Sequence, residues 1–353
     1  MYNIKSYKEI EEYPSQNILF IDVRSESEYK KEHIPGAINF PVLDDSTRKR
    51  VGTLYKQGYI DQSKTVGVTH ISKKLPGYFS ELCKLSRKYD HLIFYCARGG
   101  YRSSVLVGLL QSLDIPAEQL LGGYKGYRKY IRHALVPLIE QKTFVVLDGL
   151  TGCGKTEILK ELKNLGGTIL DLEGLANHRG SLLGGLGLGL QPSQKQFESS
   201  IYHQLKDGDT LVFTEGESTR IGHIILPRIL SQSLANGIHV RVSDTFPRRV
   251  ERIYNEYGKN YKKEELYQAL DSMEKYISQE NIYRFKKLLE KGETKLVISQ
   301  LIEGYYDPKY RLTKEYSFHL ENIDSKESAK ILLGTFTDRS ENIEEGVRCL
   351  RRL

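Results

Sequence analysis

The most informative part of the chain is a run of nine residues, Cys96-Ala97-Arg98-Gly99-Gly100-Tyr101-Arg102-Ser103-Ser104. The apolar run His91-Leu92-Ile93-Phe94-Tyr95 precedes it, and a helix-like run over residues 105–110 follows. A strand, a glycine-containing loop and a helix in this order surround the cysteine with backbone N–H groups and the positive end of a helix. Such surroundings lower the pKa of a thiol, and the thiolate is the reactive form. The stretch therefore predicts an anion-binding bowl with a nucleophile at its floor.

Roles within this bowl follow from residue type. We predict that Cys96 is the catalytic nucleophile and that Arg98 and Arg102 assist it with positive charge. The turn that binds the anion is predicted to consist of Gly99, Gly100 and Ser103. A buried structural cysteine is the alternative, but this loop makes little sense as packing.

Length and composition limit the class of protein to which this chain can belong. At 353 residues the chain is long for one core, which favours two domains. No apolar run approaches the roughly 20 residues that cross a bilayer, and the first residues form no apolar leader, so we expect a cytoplasmic protein without a membrane partner. The four cysteines lie far apart and are expected to be reduced thiols. The net charge of +7 favours an anionic partner without identifying it.

Residues 1–125 alternate short strands and helices, which predicts a mostly parallel sheet covered on both faces. Asp22 and Arg24 are expected to pair at the end of the first buried strand. The motifs Asp22-Val23-Arg24 and Gly36-Ala37-Ile38-Asn39, together with the Cys96 loop, resemble the rhodanese fold. The resemblance implies that Cys96 carries a sulfane sulfur or a selenium. Five residues separate Cys96 from Arg102, a spacing also found in phosphatases, so phosphatase activity stays open.

A second anion cradle lies about fifty residues further on and contains no nucleophile. The strand-like run 144–148 leads into Gly149-Leu150-Thr151-Gly152-Cys153-Gly154-Lys155-Thr156, which matches the P-loop pattern G-x-x-x-x-G-K-[ST]. We predict that the backbone at Gly149, Gly152 and Gly154 curls around phosphate oxygens, that Lys155 supplies charge and that Thr156 can hold Mg²⁺. The ligand is either a nucleotide or a diphosphate that is not a nucleotide.

Acidic and imidazole side chains follow the P-loop. The strand at 211–215 ends in Glu215, and Glu217 follows two residues later. We predict that both are catalytic, as a base or as Mg²⁺ ligands, although no metal site is certain. His178 and Arg179 are candidates for a substrate pocket, with a structural histidine as the alternative. The glycine-dense residues 180–189 are expected to line a ligand or to move on binding.

The second half of the chain is rich in arginine, lysine and tyrosine, which together suit RNA. The candidate tRNA-binding residues are Arg248, Arg249, Arg252, Lys262 and Lys263. A solvated amphipathic helix is the simpler interpretation, since apolar residues repeat there at helical spacing.

These motifs, in this order over nearly the whole chain, resemble the tRNA 2-selenouridine synthase family. Further motifs that carry the resemblance are Val51-Gly52-Thr53-Leu54-Tyr55-Lys56-Gln57 and Tyr305-Tyr306-Asp307-Pro308. The resemblance implies transfer of a geranyl group from geranyl diphosphate to 2-thiouridine at the tRNA wobble position, followed by its replacement with selenium from selenophosphate. It also implies a role for Gly67 in prenyl transfer, with a simple turn glycine as the alternative.

The expected architecture is α/β throughout, with a rhodanese-like parallel-sheet domain at 1–125 and a linker helix at 126–141. A P-loop domain with a helical, basic C-terminal portion follows at 142–353. A small-molecule kinase with an accessory rhodanese module, a phosphatase and a non-enzymatic RNA-binding protein are the competing functions. The oligomeric state is not predicted.

Overall fold

The computed structural model describes residues 3–180, 184–185, 187–258, 263–309 and 315–336. The chain forms two compact units, Met1–Leu135 with Pro192–Tyr202, and Val136–Gln191 with His203–Leu353. Within the described ranges, none of the helices combines the length and the apolar character that a membrane span requires.

The first unit is built on a five-stranded, fully parallel sheet. In chain order its strands are β1 (Ile4–Lys5), β2 (Ile18–Asp22), β3 (Ile38–Asn39), β4 (His91–Tyr95) and β5 (Glu118–Leu120). They lie in the spatial order β1-β5-β4-β2-β3, so that β4, which leads into the cysteine loop, is the central strand. The predicted parallel sheet is confirmed.

Six helices accompany this sheet in the sequence. They are α1 (Tyr7–Glu11), α2 (Glu26–Lys31), α3 (Asp45–Lys56), α4 (Ile60–Leu85), α5 (Tyr101–Gln111) and α6 (Gly123–Glu140). The sequence placed a linker helix at 126–141, and α6 covers that range up to Glu140 but begins three residues earlier. Gly67 lies inside α4, so its alternative interpretation as a turn glycine is wrong.

The predicted pair of Asp22 and Arg24 is confirmed. The Arg24 guanidinium donates to both Asp22 carboxylate oxygens at 2.6–3.1 Å, and both residues are buried. A buried charge is costly unless it is paired. The ion pair therefore allows two charged side chains to be buried at the end of β2.

The second unit is also built on a five-stranded parallel sheet. Its strands are β6 (Thr143–Asp148), β7 (Ile169–Leu170), β8 (Leu211–Glu215), β11 (Ile238–Ser243) and β12 (Phe318–Glu321), in the spatial order β12-β11-β6-β8-β7. A separate antiparallel pair consists of β9 (Arg220–Ile221) and β10 (Ile224–Ile225). The P-loop strand β6 is therefore central.

The remaining helices follow in chain order, and all of them belong to the second unit except α9, whose residues up to Tyr202 belong to the first. They are α7 (Lys155–Asn164), α8 (Leu172–Leu175), α9 (Gln194–Leu205), α10 (Arg228–Ala235), α11 (Phe246–Ile253), α12 (Lys263–Ser272), α13 (Gln279–Glu290) and α14 (Thr294–Leu301). Residues 325–336 are also helical, π-helical turns occur at Tyr254–Gly258 and Ile302–Tyr306, and a 3₁₀ turn occurs at Asp307–Lys309. The helices α12, α13 and α14 enclose a small core of their own, which confirms the helical C-terminal portion.

Candidate active site

Cys96 lies directly after β4, at the floor of the loop that leads into α5. Only 3% of the residue is exposed. Its Sγ accepts hydrogen bonds from the Gly100 N–H at 3.2 Å and from the Ser103 hydroxyl at 3.4 Å. Burial raises the pKa of the thiol, but the hydrogen bonds from Ser103 and from the N–H groups of Arg98 and Gly100, with the charge of Arg102, outweigh it. The net effect lowers the pKa of Cys96, as a nucleophilic thiolate requires.

The first turn of α6 forms two backbone hydrogen bonds to the cysteine loop. The N–H of Tyr124 donates to the Cys96 carbonyl at 2.8 Å, and the N–H of Lys125 donates to the Ala97 carbonyl at 3.1 Å. Gly123 makes the approach possible, because its φ is +55° and a Cβ there would lie 2.2 Å from the Cys96 carbonyl oxygen. The shape of the bowl therefore depends on a glycine more than twenty residues downstream of the cysteine.

The two loop arginines differ in their surroundings. Arg102 is partly buried and donates to the Glu28 carboxylate at 2.8 Å, whereas Arg98 is exposed. Glu28 also belongs to the stretch that resembles the rhodanese fold, but its pairing with Arg102 was not predicted. Nor was the contact of the buried Gln119, whose Nε2 donates to the Ser103 oxygen at 2.8 Å. No local motif marks either contact, because both partners lie far from the loop in sequence.

The P-loop connects β6 to α7 in the predicted strand–loop–helix context. The Lys155 Nζ donates to the Gly149 carbonyl at 2.8 Å. Gly154 has a φ of +89°, and a Cβ there would lie 2.3 Å from the Asn322 amide nitrogen. Cys153 is buried in the core, and its N–H donates to the Leu150 carbonyl at 3.3 Å in this structure. A cavity of about 350 Å³ adjoins the loop and includes Lys155 and Thr156 in its lining.

Two of the arginines predicted to bind RNA make hydrogen bonds to the P-loop backbone. Arg249 is 4% exposed, forms a two-pronged ion pair with Asp307 and donates to the Thr151 carbonyl at 2.9 Å. Arg252 donates to the Gly152 carbonyl at 2.6 Å and to the carboxylates of Asp244 and Glu157. The burial of Arg249 contradicts its prediction as a surface for RNA.

The remaining RNA candidates have varied positions. Arg248 is partly exposed and pairs with Asp244 at 3.3 Å. Lys263 begins α12, while Lys262 lies outside the described residues. The tRNA-binding role of these three residues and of Arg252 stays a prediction.

The acidic residues near the P-loop form a chain that the sequence revealed only in part. Glu173, at the start of α8, accepts a hydrogen bond from the Thr156 hydroxyl at 3.3 Å and shares a hydrogen bond with Glu217. Burial, and next the negative charge of Glu217, raise the pKa of Glu173 to about 8. Burial likewise raises the pKa of Glu217, against the charge of Lys155. These paired carboxyls hold a proton in common near neutral pH.

Glu215 lies behind this pair. It is 1% exposed, its Oε1 accepts the Glu173 N–H at 2.6 Å, and its Oε2 has no hydrogen-bond partner among the described residues. Burial, followed by the negative charges of Asp171 and Glu173, raises the pKa of Glu215 well above its ordinary value, which favours the neutral carboxyl. The geometry makes Glu215 a positioning residue for Glu173 and does not fit the prediction that it acts as a base.

His178 and Arg179 follow α8. Arg179 lines the P-loop cavity and pairs with Glu256 at 2.7 Å. Burial, followed by the charges of His223 and Arg179, lowers the pKa of His178, and its buried Nδ1 has no hydrogen-bond partner in the described part of the chain. Residues 181–183 and 186 of the glycine-dense segment lie outside the description, and its other residues are irregular.

Among the described residues, no group of three or more histidine, cysteine, aspartate or glutamate side chains is arranged to hold a metal ion. Mg²⁺ needs fewer protein ligands when a phosphate is bound, because it usually takes one or two carboxylates together with phosphate oxygens and water. Thr156 with Glu173 and Glu217 fits that smaller set once the shared proton is lost.

The folds and loops together define a two-domain protein, with a rhodanese-like cysteine bowl in one unit and a P-loop cradle in the other. Residues 6–130 match the family model of the rhodanese-like domain, and residues 142–335 match the model described as the tRNA 2-selenouridine synthase AAA domain.

Two similar proteins, each matched over most of its length, identify the family of the chain. The tRNA 2-selenouridine synthase of Pseudomonas entomophila strain L48 is 31% identical over 333 residues, with 85% of this chain and 88% of that protein covered. The one from Pseudomonas syringae pv. tomato is 32% identical over 332 residues, with 85% and 89% covered. The chain belongs to the tRNA 2-selenouridine synthase family and is an enzyme of that type.

Proposed function

We propose that this enzyme converts 2-thiouridine at the wobble position of tRNA into 2-selenouridine through an S-geranyl intermediate. The observation that carries the proposal is the presence of two different anion sites in one chain. One contains a cysteine with a lowered pKa, and the other contains Lys155 and no nucleophile. Names of the relatives support tRNA and selenium as the substrates.

In the first step the P-loop binds the diphosphate of geranyl diphosphate, with Lys155 and Thr156 as its clamp. The 2-thiouridine sulfur attacks the first carbon of the geranyl group, and the carbon–oxygen bond breaks. Diphosphate leaves with the electron pair, and the N3 proton of the base passes to solvent. Lys155 neutralises the charge that develops on the leaving diphosphate.

In the second step selenium replaces the alkylated sulfur, which leaves as a neutral thiol. Selenophosphate, the S-geranyl nucleoside and water give 2-selenouridine, geranyl thiol and phosphate. The Cys96 loop receives the selenophosphate or the selenium delivered from it, since its inward N–H groups and Arg102 suit a phosphate-sized anion. Alkylation comes first because it turns a poor leaving group into a good one.

Nucleoside mass spectrometry with one donor omitted at a time tests this order of steps. Without selenophosphate, tRNA that contains 2-thiouridine should accumulate S-geranyl-2-thiouridine. Without geranyl diphosphate, it should remain unchanged. Selenation in the absence of any prenyl donor contradicts the proposal.

The kinase and phosphatase alternatives predict different products. A kinase consumes ATP on a small molecule without tRNA, and a phosphatase releases phosphate from an aryl ester through Cys96. Either activity, with no change in the tRNA nucleosides, also contradicts the proposal.

A further inference from the structure

A second cavity lies in the second unit, between its sheet and α10. Its volume is about 290 Å³, close to the lower end of small-molecule pockets at about 300 Å³. Part of its wall is apolar and consists of Val146, Leu226, Leu234 and Ala235.

The strand β6 links this cavity to the P-loop. Successive side chains of a strand point to opposite faces. Val145 and Leu147 enter the core that contains α7, whereas Val146 and Asp148 line the cavity. The chain continues from Asp148 directly into Gly149 of the phosphate loop. Ligands of parallel α/β sheets bind outside the carboxyl ends of the strands. One end of this cavity, formed by Asp148 and residues 216–219, lies at the carboxyl ends of β6 and β8.

The hydrogen-bonded carboxyl groups of Glu173 and Glu217 lie between the two cavities. Glu217 lines the second cavity and shares a hydrogen bond with Glu173, which lines the cavity of the P-loop. A molecule with its phosphates on the P-loop therefore has this cavity on the other side of the carboxyl pair.

The charged groups of the second cavity are satisfied within the protein. The Asp148 Oδ2 lies 2.5 Å from His239 Nδ1. Gly216 leaves room for that carboxylate, because a Cβ at this position would lie 2.1 Å from Asp148 Oδ1 and 3.3 Å from Val146 Cγ1. With the aspartate paired, the apolar wall is available to a hydrocarbon group.

We propose that this cavity holds the isoprenoid chain of the allylic diphosphate whose phosphates bind at the P-loop. The inference rests on the proposed prenyl transfer and adds the site that selects chain length. Its small volume favours a short isoprenoid, since a longer chain would extend past the apolar wall into solvent.

Substitutions on α10 test the assignment. Ser231 lines the cavity, so a leucine in Ser231→Leu should fill part of the space that the isoprenoid needs. Gln232 lies on the same helix but is exposed, so Gln232→Leu is the matched control. We would measure kcat/KM for dimethylallyl, geranyl and farnesyl diphosphates with tRNA that contains 2-thiouridine. The preference for geranyl over dimethylallyl should fall about tenfold or more in Ser231→Leu and stay unchanged in Gln232→Leu.

An enlarging variant keeps the test decisive if Ser231→Leu fails to fold. Leu226→Ala should raise the relative kcat/KM for farnesyl diphosphate. Equal losses for all donors in these variants, with the chain-length ratios unchanged, would overturn the assignment and indicate that the cavity takes the nucleobase. A wild-type enzyme that transfers no prenyl group from any donor would instead contradict the proposed function itself.

Discussion

The reactivity of Cys96 depends on a small number of hydrogen bonds that oppose the effect of its burial. Ser103 is the contact most open to test, because its hydroxyl lies 3.4 Å from the sulfur and is itself fixed by Gln119. A hydrogen bond to a charged group contributes about 1.5–3 kcal/mol, enough to move a pKa by roughly one unit or more.

Ser103→Ala should therefore raise the pKa of the Cys96 thiol and slow its alkylation by iodoacetamide about tenfold near pH 7. The rate would be followed on the Cys96 peptide by mass spectrometry as a function of pH. Ser104→Ala is the control, since the Ser104 hydroxyl donates to the Tyr101 carbonyl. An unchanged pH profile in Ser103→Ala contradicts the assigned role.

The pairing of Glu173 with Glu217 predicts how stability depends on pH. The folded pKa of Glu173, about 8, lies above its ordinary value of 4.5, so the folded state keeps a proton that the unfolded state loses. Stability therefore falls as the pH rises from 4.5 to about 8.

Glu173→Gln removes this titration and should be more stable than the wild type by on the order of 2 kcal/mol at about pH 9, with a smaller difference at about pH 5. Urea unfolding at both pH values measures the effect, and the exposed Glu303→Gln is the control. The same difference at both pH values would show that the proton is not held in this pair.

At the scale of elements, the first turn of α6 fixes the cysteine loop. Gly123→Ala places a Cβ 2.2 Å from the Cys96 carbonyl at a positive φ, and should cost on the order of 2–4 kcal/mol in urea unfolding. Gly52→Ala in α3 meets no atom within 4 Å and should be neutral or slightly stabilising. Equal stabilities of the two variants would contradict the claim that the first turn of α6 fixes the cysteine loop.

The contact between α11 and the P-loop can be used to distinguish a role in phosphate binding from a role in RNA binding. Arg252 donates to Gly152 and Glu157, whereas Arg248 on the same helix pairs outside the loop. Arg252→Ala should weaken binding of inorganic pyrophosphate about tenfold by calorimetry, and Arg248→Ala should not. A loss of tRNA affinity in Arg252→Ala with pyrophosphate binding intact would restore its predicted RNA role.

These helices show which features the sequence could predict. Each anion loop was predictable because a strand, a loop and a helix follow one another within about twenty residues. The role of α11 was not, because Arg249 and Arg252 find partners 58 and 95 residues away, at Asp307 and Glu157. Without those partners, an arginine-rich amphipathic helix has the pattern of an RNA-binding surface.

At the scale of the whole molecule, the two units carry different parts of the proposed chemistry. The first contains the thiol and the second contains the phosphate clamp, each on its own parallel sheet. Order and type of the domains were predictable from the motifs. The acidic chain of Glu173, Glu215 and Glu217 was only partly so, because its members come together from the ends of two neighbouring strands, β7 and β8.

The most direct measurement of this division compares Cys96→Ala with Lys155→Ala by nucleoside mass spectrometry, with both donors present. Cys96→Ala should accumulate S-geranyl-2-thiouridine and form no 2-selenouridine. Lys155→Ala should form neither product from 2-thiouridine but should still selenate tRNA that is already geranylated. Continued selenation by Cys96→Ala, or geranylation by Lys155→Ala with an unchanged KM for geranyl diphosphate, would contradict the account.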